Sequence, residues 1–207
     1  MSQSVGAELS FDDMLTAVVA GDADAVTAAL SSSSGRASWI DARVEADRFV
    51  PEIACYVYVG DTALHVAAAA YQVAIVRRLV RDGANVCARN RRGGEPLHYA
   101  AVGLPGAPSW NPRQQHETIA ALLAAGANPN AVDKSGTTPL HRAVRTRCAA
   151  AVEALLTGGA DPSLVTKSGA SPLRLAMTAS GRGGTGSDAA KAQQAEIVRL
   201  LEACDAS

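Results

Sequence analysis

An internal repeat constrains the fold of this chain more than any other feature of its sequence. Four segments, DTALHVAA, GEPLHYAA, TTPLHRAV and ASPLRLAM, align on Ala63, Pro96, Pro139 and Pro172, at separations of 33, 43 and 33 residues. Each is followed by a segment with apolar residues three and four positions apart, the spacing of a helix that packs on one side. Such a period indicates small helical units that bury a continuous core only by stacking.

Local signals predict where the helices of each unit begin and end. A proline opens three of the units, and it suits the first turn of a helix, where its missing N–H has no partner to lose. Thr62, Thr138 and Ser171 directly precede the openings and are expected to be N-caps. A glycine follows three of the second apolar stripes, where a left-handed residue ends a helix. These glycines are Gly83, Gly126 and Gly159.

On these residues the sequence resembles the ankyrin-repeat family. The resemblance is carried by the TPLHxAA-type openings at 62–68, 95–101, 138–144 and 171–177, and by the GAN and GAD closers at 83–85, 126–128 and 159–161. It implies an all-α solenoid of about five helix-turn-helix units with short β-turn fingers, in a single domain of residues 1–207. The expected repeats are approximately 9–43, 60–92, 93–135, 136–168 and 169–204.

Three histidines recur at one position of the openings and raise the question of a metal site. His65, His98 and His141 fall in separate layers roughly 10 Å apart, too far to share an ion bound at about 2 Å. The resemblance implies that they bond the backbone of neighbouring turns, with Arg174 in their place in the last unit. The sequence also has no nucleotide-binding or hydrolase motif. We therefore predict no enzyme, no metal and no cofactor.

Composition and charge disfavour several classes of partner. Lys and Arg number 19 against 20 Asp and Glu, so no whole-protein field attracts nucleic acid or an anionic membrane. No window reaches the roughly 18 apolar residues that span a bilayer, and the N-terminus lacks a signal-peptide pattern, so we expect a cytoplasmic protein. Abundant alanine favours close-packed helices and hints at a bacterial source. The four cysteines form no CxxC pair and are expected to be buried thiols.

The first expected finger is much longer than the others. Its segment ACYVYV favours a strand, and WIDARV is a candidate partner strand, so we predict an extended hairpin. Six of the eight aromatic residues lie in the N-terminal third: Phe11, Trp39, Phe49, Tyr56, Tyr58 and Tyr71. They either anchor a partner or cover the open end of the first repeat.

Two insertions are expected at the helix-to-helix turns of the third and fifth units. The first, residues 102–116, adds about ten residues and contains Trp110, which either contacts a partner or, as we expect, folds back onto its own stack. The second, TASGRGGTGSDAAKAQQ, is Gly-rich at its start. Its end indicates that the final helix starts early, with Ser187 as its cap.

Clustered arginines and the family resemblance together predict the function. Three arginines lie at 89, 91 and 92 and three more at 142, 145 and 147, and they either grip an acidic peptide or phosphate or form ordinary solvated surface. We expect a scaffold that binds an unidentified partner protein or peptide. The partner-binding residues expected are Tyr56, Tyr58, Tyr71, Arg91, Arg92, Asp133, Lys134, Arg142 and Arg145. The alternative is a small-molecule-binding or enzyme-accessory protein in which Trp110, His116 and Glu117 line a pocket at the 102–116 insertion.

Overall fold

The computed structural model describes residues 10–31, 39–103, 105, 110–179 and 188–205, and within them five pairs of helices stack in chain order. The pairs are α1 Phe11–Ala20 with α2 Ala23–Ser31, α3 Ala63–Ala69 with α4 Val73–Arg81, α5 Pro96–Ala100 with α6 Pro112–Ala124, α7 Pro139–Arg145 with α8 Ala149–Thr157, and α9 Pro172–Ala179 with α10 Asp188–Asp205. The first helices of neighbouring pairs contact one another, and so do the second helices. This two-layered stack confirms the predicted all-α solenoid.

The core explains why the sequence repeats as it does. Within the first helices a fully buried alanine recurs with the repeat, as Ala67, Ala100, Ala143 and Ala176. A side chain this small lets helices of adjacent layers approach closely. The second helices supply the larger buried side chains, among them Leu79, Leu122, Leu155 and Leu201. Small buried residues in the first helices thus face larger ones in the second, an arrangement that favours close packing.

The predicted helix signals are found in the structure. Gly83, Gly126 and Gly159 all have positive φ, between 88° and 101°, after their helices. The hydroxyls of Thr138 and Ser171 accept hydrogen bonds from backbone N–H groups in the first turns of α7 and α9.

The recurring histidines connect the layers. In all three, Nδ1 accepts a hydrogen bond from the backbone N–H three residues earlier, so the proton lies on Nε2. His65 Nε2 then donates to Gly94 O at 3.2 Å, His98 Nε2 to Thr137 O at 3.1 Å, and His141 Nε2 to Ala170 O at 3.0 Å. Each bond joins a first helix to the opening of the next unit, so the predicted backbone bonding is confirmed.

The turns between helix pairs form fingers that are hydrogen-bonded to one another. We call residues 48–60 the first finger, 85–93 the second, 128–136 the third and 161–169 the fourth. The N–H groups of Arg91, Lys134 and Lys167 each donate to a carbonyl of the preceding finger, over 2.9 to 3.0 Å. Successive fingers are therefore held edge to edge, in one continuous row.

The first finger contains the predicted hairpin but with a different partner strand. Strand β1, Arg48–Val50, pairs antiparallel with β2, Cys55–Val57, and the single 3-10 turn Pro51–Ile53 connects them. WIDARV, at 39–44, was the wrong candidate for the partner. Val44 exchanges backbone hydrogen bonds with Gly60 and Asp61, just before α3, but no residue of 39–44 pairs with β2. The short loop at Pro51 closes a local hairpin, which costs less chain entropy than pairing with a more distant segment.

The insertion of the third unit lies between α5 and α6, as predicted, and part of it is helical. Asn111 caps α6 by accepting the N–H of Gln114, so the helix begins at Pro112, earlier than the repeat requires. Trp110 folds back as expected, because it packs on the core and its indole N–H donates to Gln115 Oε1 at 2.9 Å. In the fifth unit α10 starts early, at Asp188, whereas the expected cap Ser187 lies outside the described residues.

The cysteines differ from the expectation of four buried thiols. All four are free, but only Cys148 is buried; Cys55 is partly buried, and Cys87 and Cys204 are exposed. Cys87 lies on the exposed surface of the second finger, and Cys204 lies near the end of α10, in the last helix pair of the described residues. Burial raises the pKa of the Cys55 thiol to about 11 and also raises that of Cys148.

Candidate functional site

Six of the predicted binding residues line one cavity between the second finger, the third finger and α7. Its volume is about 450 Å³, and Ser135 and Thr137 complete the lining. We call this surface the basic groove; its charged residues are Arg91, Arg92, Asp133, Lys134, Arg142 and Arg145. The repeat explains the convergence, because stacking places Arg91 and Arg92 of the second finger beside Asp133 and Lys134 of the third, which lie 42 positions further along the chain. Arg89 and Arg147 do not line the groove, and Arg89 pairs instead with Glu95.

Arg142 forms the floor of the basic groove and is held on two sides. Its Nη2 donates to Asp133 Oδ2 at 3.0 Å, and the two side chains are only 15% and 10% exposed. Its guanidinium carbon lies 5.9 Å from the ring centroid of Tyr99 in the adjacent layer, within range of a cation–π contact. The position of this charge is therefore set by the fold.

Asp133 is the single carboxylate among the described residues that line the basic groove. Burial would raise its pKa, but hydrogen bonds from Ser135, from Arg142 and from backbone N–H groups outweigh that effect and hold the pKa at about 2. Ser135 Oγ lies 2.6 Å from Asp133 Oδ1, which also accepts the N–H groups of Ser135 and Thr137. The carboxylate is thus ionised and fully engaged in organising the third finger.

The remaining four cations differ in how far they are already paired. Arg91, half exposed, forms an ion pair with Asp47 ahead of the first finger. Arg92 lies over the ring of Tyr58, with its guanidinium carbon 4.3 Å from the ring centroid. Among the described residues neither Lys134 nor Arg145 forms an ion pair, and both are exposed. The groove therefore presents uncompensated positive charge to solvent.

Aromatic side chains continue this surface along the first finger. Tyr58 stacks on Tyr56 with ring centroids 6.1 Å apart and planes 17° apart, and Phe49 packs against Tyr56 at 5.1 Å. Tyr56 is 55% exposed and Phe49 is 49% exposed. We call Phe49, Tyr56 and Tyr58 the aromatic edge. Through Arg92 on Tyr58 it is continuous with the basic groove.

Beneath the second finger lies a buried polar network that sequence reasoning missed. Tyr99 Oη donates to Asp61 Oδ2 at 2.7 Å, and Asn90 Nδ2 donates to Asp61 Oδ1 at 2.9 Å. Asn90 Nδ2 also lies 2.9 Å from the Tyr99 hydroxyl. The same spacing occurs in two layers. Asn90 of the second finger contacts Tyr99, nine residues later in α5, and Asp133 of the third finger contacts Arg142, nine residues later in α7. Aligning the repeats at these two positions would have revealed the network.

Tyr71 does not belong to the basic groove. It lies at the turn after α3 with φ of 54°, and its hydroxyl donates to Val102 O in the next layer. It lines a separate cavity of about 200 Å³, together with Trp110 and Gln114, and burial raises its pKa. Tyr71 therefore lies apart from the six groove residues, and its role in partner binding stays a prediction. His116 and Glu117 do not line that second cavity either.

Two further findings bear on the kind of site. Within the described ranges no cluster of three or more His, Cys, Asp or Glu side chains could hold a metal ion. Over that same part of the chain, none of the helices combines the length and apolar character needed to cross a bilayer.

Two protein-family models match this chain, and both describe repeats. A family model described as ankyrin repeat matches residues 59–91 and 93–134, and one described as ankyrin repeats (many copies) matches residues 122–176. Over 96 residues the chain is 40% identical to the E3 ubiquitin-protein ligase KEG of Arabidopsis thaliana. Over 93 residues it is 39% identical to ankyrin repeat and SOCS box protein 16 of Mus musculus, and over 71 residues 42% identical to mouse Rabankyrin-5.

These likenesses are confined to repeat regions. The three matches cover 45%, 44% and 33% of this chain but only 5%, 20% and 6% of the respective relatives. Together the family models extend over residues 59–176, more than half of the chain.

Proposed function

Because this chain belongs to the ankyrin-repeat family, whose repeats typically serve as non-enzymatic interaction modules, we propose that it is a scaffold that binds one partner protein or peptide at the basic groove and the aromatic edge. The supporting observation is the convergence of five cationic side chains, from two fingers and α7, on one cavity. Arginine is favoured at interfaces because its planar guanidinium donates paired hydrogen bonds. The exposed rings of Tyr56 and Phe49 add the large apolar contacts on which interfaces depend.

The alternative of a small-molecule site beside residues 102–116 has less support. In the cavity lined by Tyr71 and Trp110, the hydroxyl of the first and the indole N–H of the second already donate to groups of this chain. A ligand would have to displace these bonds to gain orientation from either side chain, whereas binding sites usually offer polar groups that converge on the ligand.

Affinity purification with the full chain tests the proposed surface. The charge-reversed variant Arg91→Glu with Arg92→Glu is expected to lose the partner that the unaltered chain recovers, because both reversals place carboxylates at the rim of the groove. Binding should fall at least about tenfold, since the variant loses two arginines, a residue type whose removal from the centre of an interface often costs more than about 2 kcal/mol. Quantitative mass spectrometry of the bound proteins measures the loss.

A matched control separates the groove from charge in general. Arg77 and Arg81 are exposed on α4 and line a cleft with α6, apart from the fingers. The double variant Arg77→Glu with Arg81→Glu makes the same change in net charge and is expected to retain the partner. Full recovery of the partner by the Arg91 and Arg92 variant would remove the basic groove from consideration as the binding surface.

A further inference from the structure

The charges of the basic groove are arranged to receive anions rather than to balance one another. Five cations line it against the single carboxylate of Asp133, and that carboxylate is committed to Arg142 and to its own finger. The whole chain has a formal net charge of −1, so the positive charge is concentrated here. A surface of this kind selects partners by charge complementarity and accelerates their encounter.

The aromatic edge favours a protein segment over single-stranded nucleic acid. Nucleic-acid platforms stack bases on free aromatic faces. Here Tyr58 has Arg92 over its ring, with the guanidinium carbon 4.3 Å from the centroid, and it also stacks with Tyr56. The ring of Tyr56 is further covered by Phe49, which packs against it at a tilt of 56°. Tyr58 and Tyr56 are thus already in contact with side chains of this chain, which disfavours stacking of a base on them, whereas the exposed parts of Tyr56 and Phe49 can contact an apolar side chain.

The row of fingers fixes how far apart the two parts of such a segment must lie. Neighbouring layers of the stack are roughly 10 Å apart, the distance of packed helices. An extended peptide advances about 3.3 Å per residue, so about three residues lead from one finger to the next. An apolar residue on the aromatic edge of the first finger thus stands about three positions from the first anion, which lies at the second finger.

We propose that the segment bound by this surface is an extended, acidic stretch of a partner protein, in which several Asp or Glu side chains lie over the basic groove and one apolar side chain, about three positions away, lies on the aromatic edge. This inference rests on the proposed function and specifies the chemistry of the partner. Lys134 and Arg145 contribute most to binding of the acidic segment, because neither has a competing carboxylate among the described residues. Arg91 and Arg142 are already paired with Asp47 and Asp133.

Fluorescence anisotropy with synthetic peptides tests the inference on the full chain. The probes are fluorescein-labelled peptides with a run of glutamate and one leucine about three positions away, made in both chain directions. Matched peptides replace glutamate with glutamine, or move the leucine to the far end of the run. One of the glutamate probes is expected to bind at least about tenfold more tightly than its glutamine counterpart at low salt, and to weaken as salt rises. Displacing the leucine should weaken binding severalfold.

Variants of the chain locate the binding. Lys134→Glu with Arg145→Glu is expected to lower affinity for the glutamate probe at least about tenfold, while Arg77→Glu with Arg81→Glu leaves it unchanged. Far-ultraviolet circular dichroism and thermal unfolding establish that both variants fold. Equal binding of the glutamate and glutamine probes, or binding unaffected by the Lys134 and Arg145 changes, would overturn the inference. So would a labelled single-stranded oligonucleotide that binds more tightly than the peptides at the same groove.

The affinity purification and the peptide measurements together distinguish a failure of this inference from a failure of the proposed function. If the native partner is lost from the Arg91 and Arg92 variant in affinity purification but the glutamate probes show no preference, the scaffold stands and the acidic chemistry is wrong. If the native partner is retained and the probes show no preference, the groove is not the binding surface and both proposals fail.

Discussion

The buried carboxylate of Asp61 connects three neighbouring elements of the fold. It is fully buried, yet its carboxylate accepts hydrogen bonds from Tyr99 Oη, from Asn90 Nδ2 and, at 2.6 Å, from the backbone N–H of Tyr58. A buried carboxylate is tolerated only when such donors replace its hydration. The three donors come from the first finger, the second finger and α5, so Asp61 holds together the elements that carry the aromatic edge.

Tyr99→Phe is therefore expected to destabilise the fold. It removes the hydroxyl that donates to Asp61 while keeping the ring, and an unpaired buried polar group costs about 1–3 kcal/mol. Urea unfolding monitored by circular dichroism gives the change. Tyr58→Phe is the matched control, because its hydroxyl is not part of this network; we expect a change of at most about 0.5 kcal/mol. Equal stability of the two variants would contradict the importance assigned to the Asp61 network.

At the scale of elements, the row of fingers depends on close backbone approach. Gly136 of the third finger has φ of 75°, and a Cβ placed there would lie 2.9 Å from the backbone nitrogen of Lys167 in the fourth. Gly169, in the same position of the fourth finger, has φ of 77° but nothing within 4 Å. The two glycines share one backbone conformation and differ in whether another finger is packed against them.

Substituting each glycine with alanine separates these two effects. Gly169→Ala is expected to cost about 1 kcal/mol, the price of placing a side chain in the left-handed region. Gly136→Ala should cost at least about 1 kcal/mol more, because the third and fourth fingers must also separate. Chemical unfolding of both variants measures the difference. If the two substitutions cost the same, the contact between fingers contributes nothing to stability.

The elements also show which features of the fold were predictable from the sequence. Helix openings, histidines and terminating glycines depend on neighbours within one unit or at a fixed repeat distance, and repetition makes such signals visible. The strand Arg48–Val50 belongs to a stretch that occurs once, so no second copy distinguished it from WIDARV. The separation of Tyr71 from the groove was not predictable, because its contact with Val102 crosses 31 residues and depends on the insertion that follows. The grouping of six charged residues followed from the repeat, whereas their individual pairings required coordinates.

At the scale of the whole molecule, the three buried histidines couple stability to pH. Burial is the largest cause that lowers the pKa of each, to about 3 for His98, from an ordinary value of 6.5. Because the folded pKa lies below the unfolded one, the unfolded chain binds protons more readily as the pH falls. The stabilisation is thus complete above about pH 6.5 and is lost progressively below it.

We expect the free energy of unfolding to be lower at about pH 5.5 than at about pH 7.5, by about 1 kcal/mol for each histidine that stays neutral in the folded state. Urea titrations at the two pH values measure the difference. In His98→Gln the overall stability should fall, but the difference between the two pH values should shrink by about 1 kcal/mol. A difference that is unchanged in this variant would show that other groups cause the pH dependence.

The guanidinium of Arg142, held between Asp133 and the ring of Tyr99, has a consequence for the entropy of association. A long cationic side chain that is ordered only on binding loses about 0.5–1.5 kcal/mol of conformational freedom. Arg142 has already given up that freedom on folding, and the contacts of Arg92 with Tyr58 and of Arg91 with Asp47 restrict those side chains as well. Only Lys134 and Arg145 remain to be ordered. Most of this surface is therefore preorganised before any partner arrives.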